Sequence, residues 1–308
     1  MEGVHETDAP SPAETATDGN NPSVEGLAET RQRVAEQLTY RALVDHACAM
    51  ARGPTSQDAW AEAAPKLRVS WEVLKEKYGY EERPEPAPQA DAGSWRGKGG
   101  RTLDAASNAE IDVGYARIRE VGENVIVPAI LRVAAEDPTR VLAGFDCRIK
   151  GVDRLKEKVS DRMRTKGRSA VETLAQISDV VRFTFTYAET AYADGVRKDL
   201  ERLGTVGFTQ VERRNSWSSA QYKGINTQWL EPQSGVRFEV QFHTQASLEA
   251  KELTHEAYER IRSITEPTPE TEREAEELEV FQSKANAQVP IPPDVSAVED
   301  YRREKRDG

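Results

Sequence analysis

The stretch RFEVQFHT, from Arg237 to Thr244, alternates strictly between apolar and polar side chains. Its apolar positions are Phe238, Val240 and Phe242, and its polar positions are Arg237, Glu239, Gln241 and His243. Side chains of a β-strand point alternately to its two faces, so this pattern predicts a strand with one apolar face and one face of hydrogen-bonding groups. An ordinary half-exposed strand and the floor of a binding site both fit this stretch alone.

Two further stretches predict the neighbours of this strand. DVVRFTFTY (179–187) and QYKGINTQWL (221–230) also alternate, and the second is joined to RFEVQFHT by EPQSG, which is typical of a hairpin turn. A helical pattern follows the first stretch and another follows RFEVQFHT. We therefore predict an α/β (α+β) fold, with a mixed β-sheet flanked by helices and preceded by a helical N-terminal region.

The composition of the 308-residue chain is polar, with 37% hydrophobic and 31% charged residues and a formal net charge of −11. An acidic chain does not bind nucleic acid through its overall charge, although a local basic pocket remains compatible with it. No apolar run has the length of a membrane span, and the N-terminus is not a signal peptide. The two cysteines, Cys48 and Cys147, show no metal or redox spacing, which indicates buried reduced thiols and a cytoplasmic protein.

Composition and periodicity divide the chain into five predicted segments. Residues 1–25 have the composition of a disordered tail. Amphipathic stripes predict a helical region over 26–80, and Pro and Gly mark 81–104 as a linker. The main domain is predicted over 105–287, with Pro128 kinking or dividing its first helix. Residues 288–308 are predicted to be a flexible tail.

A basic cluster lies between a short predicted strand and the helix that follows it. RIKG carries Arg148 and Lys150, and the helix adds Arg154 and Lys158. Cations at a strand end just before a helix N-terminus suit phosphate, because backbone N–H groups and the helix dipole add to their charge. A solvated basic face is the ordinary alternative.

Two carboxylates lie close to this cluster in the predicted sheet. Asp179 stands at the beginning of the strand that carries Arg182, and burying it unpaired would be costly, so it either caps the strand end or holds a metal. Glu239 lies on the polar face of the neighbouring strand. Two carboxylates beside a phosphate site suit Mg²⁺, which binds through one or two carboxylates plus phosphate oxygens.

Tyr222 precedes a Lys-Gly pair at the start of the hairpin. An aromatic ring beside Gly224 can stack on a base where the backbone permits close approach, although a tyrosine on the face of the sheet explains the position equally well.

Taken together, these residues make residues 140–262 resemble the synthetase domain of the alarmone synthetases, the RelA/SpoT homologues. The resemblance implies a nucleotidyltransferase-like fold and transfer of the β,γ-pyrophosphate of ATP to the 3′-hydroxyl of an acceptor nucleotide, with Mg²⁺. It assigns Asp179 and Glu239 to catalysis and metal binding. The ATP-binding residues it implies are Arg148, Lys150, Arg154, Lys158 and Arg182, and the acceptor-binding residues are Tyr222, Lys223, Asn226, Gln241 and His243.

The chain departs from the family pattern mainly on the acceptor side. His243 stands where an arginine is usual, Asn226 where a histidine is usual, and the Lys-Gly pair that usually precedes the tyrosine is missing. These departures predict a relaxed acceptor preference, with adenine nucleotides used as well as GDP or GTP.

Two other functions fit the same sequence. A toxin-type synthetase would pyrophosphorylate the 3′ end of tRNA, with Arg213, Arg214 and Lys223 as candidate contacts. A non-catalytic nucleotide-binding module is the other alternative, and the retained pair of carboxylates argues against it. The sequence leaves the oligomeric state and the role of the N-terminal helical region open.

Overall fold

The computed structural model describes residues 57–80, 93–97, 100–264 and 267–303. Its helices are α1 (Gln57–Tyr78), α2 (Ala105–Val121), α3 (Val127–Ala135), α4 (Val152–Lys166), α5 (Ala170–Leu174), α6 (Tyr192–Thr205), α7 (Gln245–Ser263) and α8 (Pro269–Ala287). Its strands are β1 (Trp95–Arg96), β2 (Thr102–Leu103), β3 (Val141–Ala143), β4 (Arg182–Tyr187), β5 (Thr209–Asn215), β6 (Ile225–Leu230), β7 (Arg237–Thr244) and β8 (Tyr301–Arg302).

Six strands form the main sheet in the order β3-β4-β7-β6-β5-β8. Strands β4 and β7 are parallel and every other neighbouring pair is antiparallel, so the predicted mixed sheet is confirmed. The three stretches recognised in the sequence are the adjacent strands β4, β7 and β6. Glu231 to Gly235 closes the hairpin between β6 and β7, and Gly235 has the positive φ of 74° that the turn requires.

The apolar face of β7 lies in the core. Phe238, Val240 and Phe242 are fully buried, and Phe242 stacks on Phe185 of β4 with ring centroids 6.2 Å apart. Helix α6 packs on this side, where the Tyr192 hydroxyl donates to the carbonyl of Phe242 at 2.7 Å. The opposite, polar face of the sheet is therefore the one that can hold a ligand.

The first helix of the predicted main domain is divided, as the sequence suggested, close to Pro128. Between α2 and α3, residues Gly122–Ile126 form one π-helical turn, and Pro128 lies at the start of α3. Proline has no N–H to donate to the preceding turn, so the wider turn accommodates the missing bond without ending the helix. The N–H of Val127 still donates to the carbonyl of Gly122.

The predicted linker over 81–104 is wrong for its second half. Trp95–Arg96 and Thr102–Leu103 pair as a small hairpin, Leu103 is buried in the core, and Trp95 Nε1 donates to Asp153 at 3.0 Å. Helix α1, the described part of the predicted helical region, packs on α7 and α8, where Trp71 stacks on Phe281 at 5.3 Å. The predicted separation of this helix from the main domain is therefore also wrong. Residues 1–56, including Cys48, lie outside the described residues.

The predicted flexible tail is folded as far as residue 303. Val289, Val295 and Val298 are buried in the core, and β8 pairs with β5 at the edge of the sheet. Cys147 is exposed, so the expectation of a buried thiol is wrong at that position. Among the described helices, none is long and apolar enough to cross a membrane.

Candidate functional site

Asp179 lies in a turn just before β4, where it joins two of the predicted phosphate-binding lysines. Its Oδ1 is 2.7 Å from Lys158 Nζ of α4, and its Oδ2 is 3.0 Å from Lys150 Nζ. Burial alone would raise the pKa of Asp179, but the two ammonium groups outweigh it and lower the pKa to about 2. Asp179 therefore carries a negative charge at neutral pH, and no strand-capping role is needed to explain it.

Glu239 is brought beside this cluster by the parallel pairing of β4 and β7, in which it lies opposite Arg182. Burial raises the pKa of Glu239, a hydrogen bond from the side-chain amide of Gln241 acts against the rise, and the charge of Asp179 adds to it. The backbone N–H of Glu239 donates to the carbonyl of Val181, two residues after Asp179, at 2.9 Å. That the two acids share one site stays a prediction.

The residues around this pair fit a divalent cation. The second oxygen of Glu239, Oε2, has no hydrogen-bond donor among the described residues, and burial, which raises the pKa of Glu239, disfavours its negative charge. A cation between the two acids would supply that compensation. The described residues contain no group of three or more His, Cys, Asp or Glu side chains suited to a metal. Any Mg²⁺ here would depend on the two carboxylates and on oxygens of a ligand.

The other end of the polar face of β7 carries an uncharged hydrogen-bond network. The fully buried ring of His243 contacts Ser247 Oγ through Nδ1 at 2.9 Å and the Tyr222 hydroxyl through Nε2 at 3.0 Å. That hydroxyl also donates to Asn226 Oδ1 at 2.7 Å. Burial lowers the pKa of His243 well below its usual range, so the ring is neutral at pH 7. The structure thus leaves His243 to act on a ligand only through Tyr222.

Gly224 has a different role from the one predicted. A methyl group on Gly224 would lie 2.7 Å from Cε1 of His243, so the missing side chain leaves room for the imidazole rather than for a base. The half-buried ring of Tyr222 meets the imidazole edge-to-face, with centroids 5.5 Å apart and planes at 84°. The imidazole and Asn226 therefore hold the tyrosine in one orientation.

The remaining predicted ATP-binding arginines differ in their surroundings. Arg148 pairs with Glu123 at 2.9 Å and lies over the ring of Phe145, 4.3 Å from its centroid. Arg154 is largely exposed and lies 3.8 Å from Glu259. Arg182 has no ion-pair or side-chain hydrogen-bond partner within the described ranges, and burial followed by the charge of Arg182 lowers the pKa of Lys251 nearby. Of these three, Arg182 is the one that is both beside the acids and without a partner.

Lys223 does not join the predicted acceptor group. Its ammonium donates to the backbone carbonyls of Trp217 at 2.8 Å and Ser219 at 2.7 Å, so it holds the loop that leads to Tyr222. Gln241 bridges the two ends of the face, since its amide nitrogen donates to Glu239 and its Oε1 accepts from Lys251 Nζ at 2.7 Å.

Sequence reasoning missed two site residues on α7. Thr244 caps this helix, so the chain turns directly from β7 over the end of the polar face. Ser247 then orients His243, and Lys251, one helical turn later, binds Gln241. Burial, with the charge of Arg182, lowers the pKa of Lys251 to about 8. The four-residue spacing of Ser247 and Lys251 directly after a site strand is the signal that could have found them.

No family model and no curated protein matches the chain. Solved structures do match it. Small alarmone synthetase 1 of Bacillus subtilis, bound to its product pppGpp, is 18% identical with a TM-score of 0.36, and the match covers 57% of this chain and 92% of that one. A GTP pyrophosphokinase family protein of Streptococcus pneumoniae is 13% identical with a TM-score of 0.38, and the match covers 59% of this chain and 89% of that one. A protein of Streptococcus mutans UA159 is 18% identical with a TM-score of 0.37, and the match covers 56% of this chain and 86% of that one. Because fewer than one residue in five is shared, the activity of this chain has to be argued from its own side chains.

Proposed function

We propose that the protein transfers the β,γ-pyrophosphate of ATP to a hydroxyl group of an acceptor nucleotide. The observation that carries the proposal is the grouping of Asp179 and Glu239 on one face, with Lys150 and Lys158 around the first and Arg182 opposite the second. Cations and acidic oxygens interleaved in this way suit a phosphate chain with its metal ion.

In this proposal, the residues near one end of β7 bind ATP and those near the other end bind the acceptor. Lys150, Lys158 and Arg182 bind the phosphates of ATP, and bound Mg²⁺ would neutralise charge on the transferred group. Tyr222, held by His243 and Asn226, presents its ring to the base of the acceptor. The acceptor hydroxyl then lies between these two sets, near Glu239.

In the transfer, the acceptor oxygen forms a bond to the β-phosphorus and the bond from that phosphorus to the α,β-bridging oxygen breaks. AMP leaves with the electron pair of that bond. Glu239 receives the proton of the acceptor hydroxyl on Oε2, the oxygen that has no hydrogen-bond donor among the described residues. The raised pKa of Glu239 favours this role, because a base works best when its pKa approaches the working pH.

Transfer to tRNA has less support. Two of its three candidate contacts are engaged elsewhere: Lys223 holds its own loop, and Arg213 donates to the carbonyl of Glu299 at 2.5 Å while lying over Tyr301. The neutral Tyr222 network instead favours stacking on either purine of a free nucleotide, since stacking does not read the base edge.

The test is incubation with γ-labelled ATP, Mg²⁺ and, separately, GDP, GTP, AMP, ADP, ATP and tRNA. We expect label in a nucleotide acceptor together with one AMP for each labelled product, and far less label with the Glu239→Gln variant. Formation of ADP in place of AMP would show phosphate rather than pyrophosphate transfer. Label in tRNA alone would establish the toxin-type reaction instead.

A further inference from the structure

A basic cavity of about 1060 Å³ lies between α4, α5 and the strands at the β5–β8 edge of the sheet. Six cationic side chains line it, and a single carboxylate, Glu212, faces them. The six are Arg162 and Lys166 of α4, Arg168, Arg237 at the start of β7, and Arg302 and Arg303 at the C-terminal edge. Such a concentration of positive charge is unusual for a chain of net charge −11.

Helix α4 shows that the charges in the cavity are a local exception. Its other cations each lie beside a carboxylate: Lys156 at 2.7 Å from Asp112, Lys158 at 2.7 Å from Asp179, Arg164 at 3.6 Å from Asp161 and Arg154 at 3.8 Å from Glu259. Within the described part of the chain, the side chains of Arg162 and Lys166 have no hydrogen bond or ion pair, and both line the cavity. The same is true of Arg237, Arg302 and Arg303.

An independent observation at a buried side chain also points to a ligand in this cavity. Thr173 of α5 lines the cavity and is only 2% exposed, and its buried Oγ1 has no hydrogen-bond partner. A buried hydroxyl without a partner costs free energy unless a ligand or water satisfies it. The hydroxyl and the guanidinium groups together offer hydrogen-bond donors to an anion with several oxygens.

The cavity is adjacent to the proposed transfer site. Arg237 lies two residues before Glu239 on the same face of β7. Gln228, which also lines the cavity, pairs in register with Glu239. On α4, Arg162 follows Lys158 by one helical turn. The volume lies at the upper end of the range of small-molecule pockets, which leaves room for a nucleotide.

We propose that this cavity binds the phosphate chain of a nucleoside di- or triphosphate at a site separate from the Asp179 cluster. The guanidinium groups of Arg162 and Arg302 approach the chain from α4 and from the C-terminal strand. Strand β8 then forms one wall of the cavity, because it brings Arg302 and Arg303 to the edge of the sheet.

Binding is measured by titration calorimetry with inorganic tripolyphosphate and with ATP in the absence of metal. We expect the double variant R162A/R302A to bind tripolyphosphate at least about tenfold more weakly than the wild type, because two charge-assisted contacts are lost. R164A is the matched control, since Arg164 lies on the same helix outside the cavity and already has a partner. Lys166→Ala, at an exposed position, is a second variant should the double variant fold poorly.

Two results would overturn the proposal: equal binding by R162A/R302A and the wild type, or loss of tripolyphosphate binding in Lys150→Ala, which would place the anion at the transfer site. A further experiment, which rests on the proposed function, identifies which nucleotide carries the bound phosphate chain. If it belongs to the acceptor, R302A raises the KM for a triphosphate acceptor more than that for AMP. If it belongs to a separate nucleotide, tripolyphosphate alters turnover without raising either KM.

Discussion

The two ends of the polar face of β7 are only four residues apart and are built from opposite chemistry. At Glu239 the side chains are charged, and the cluster includes Asp179, two lysines and Arg182. At His243 they are neutral, and a chain of hydrogen bonds links Ser247, His243 and Tyr222. The charged end responds to the charge of a ligand, whereas the neutral end offers a ring in a fixed orientation. Each prediction below tests one side of this difference.

The largest effect is expected at the charged end, for Glu239→Gln. The amide keeps the shape of the side chain but loses the charge, so turnover should fall at least about a hundredfold, or roughly 3 kcal/mol of transition-state stabilisation. Steady-state assays with ATP and the best acceptor measure it.

The same variant should not be less stable than the wild type. Because the pKa of Glu239 is raised in the folded protein, its contribution to stability is present below the pKa of the unfolded chain and is lost as pH rises through the folded value. The ionised carboxylate is therefore unfavourable at neutral pH, and the Tm of Glu239→Gln should be unchanged or higher. A lower Tm of Glu239→Gln together with normal turnover would mean that Glu239 stabilises the fold and does not act in the transfer.

At the neutral end, Tyr222→Ala should raise the KM of the acceptor by roughly ten- to a hundredfold, because base–aromatic stacking contributes about 1–3 kcal/mol. The KM for ATP should change little. Tyr222→Phe is the matched control: it keeps the ring and loses only the hydroxyl contacts with Asn226 and His243. If both variants raise the KM for ATP alone, Tyr222 belongs to the donor site.

Asp179 predicts a pH dependence of stability at the charged end. Its folded pKa of about 2 lies below the ordinary value of 3.8 for an aspartate, so its contribution is present above about pH 4 and is lost as pH falls towards 2. The difference in the free energy of unfolding between wild type and Asp179→Asn should be about 2 kcal/mol at pH 6. Urea titrations should show a smaller difference at pH 3, and an equal difference at both pH values would contradict the lysine pairing.

The smallest effect is expected for Arg154→Ala. Its guanidinium is largely exposed and 3.8 Å from Glu259, and surface ion pairs of this kind contribute little. We expect the KM for ATP to change less than about threefold. Arg148→Ala, which removes a cation that is held by Glu123 and Phe145, should raise it by about tenfold. Equal effects on the KM for ATP in the two variants would mean that the burial of an arginine does not determine its contribution to ATP binding.

Much of the sheet could be predicted because its strands carry local signals. The alternation in β4, β6 and β7 was visible in the sequence, as was the turn at Gly235, and the buried faces follow from that period of two. Strand β8 has only two residues and forms by pairing with β5 nearly ninety positions earlier. A pairing of that kind leaves no periodic pattern to recognise, so the C-terminal segment was mistaken for a loose tail.

The sequence by itself determined which residue types meet on the polar face, because the alternation of β7 allows no other grouping of Glu239, Gln241 and His243. Only the tertiary structure decided which charges are compensated. Lys158 and Arg162 are one turn apart on α4 and similar in sequence context, yet the first lies against Asp179 and the second faces the basic cavity. The reason is physical: electrostatic energy depends on distances between groups from separate elements, and those distances exist only once the chain has folded.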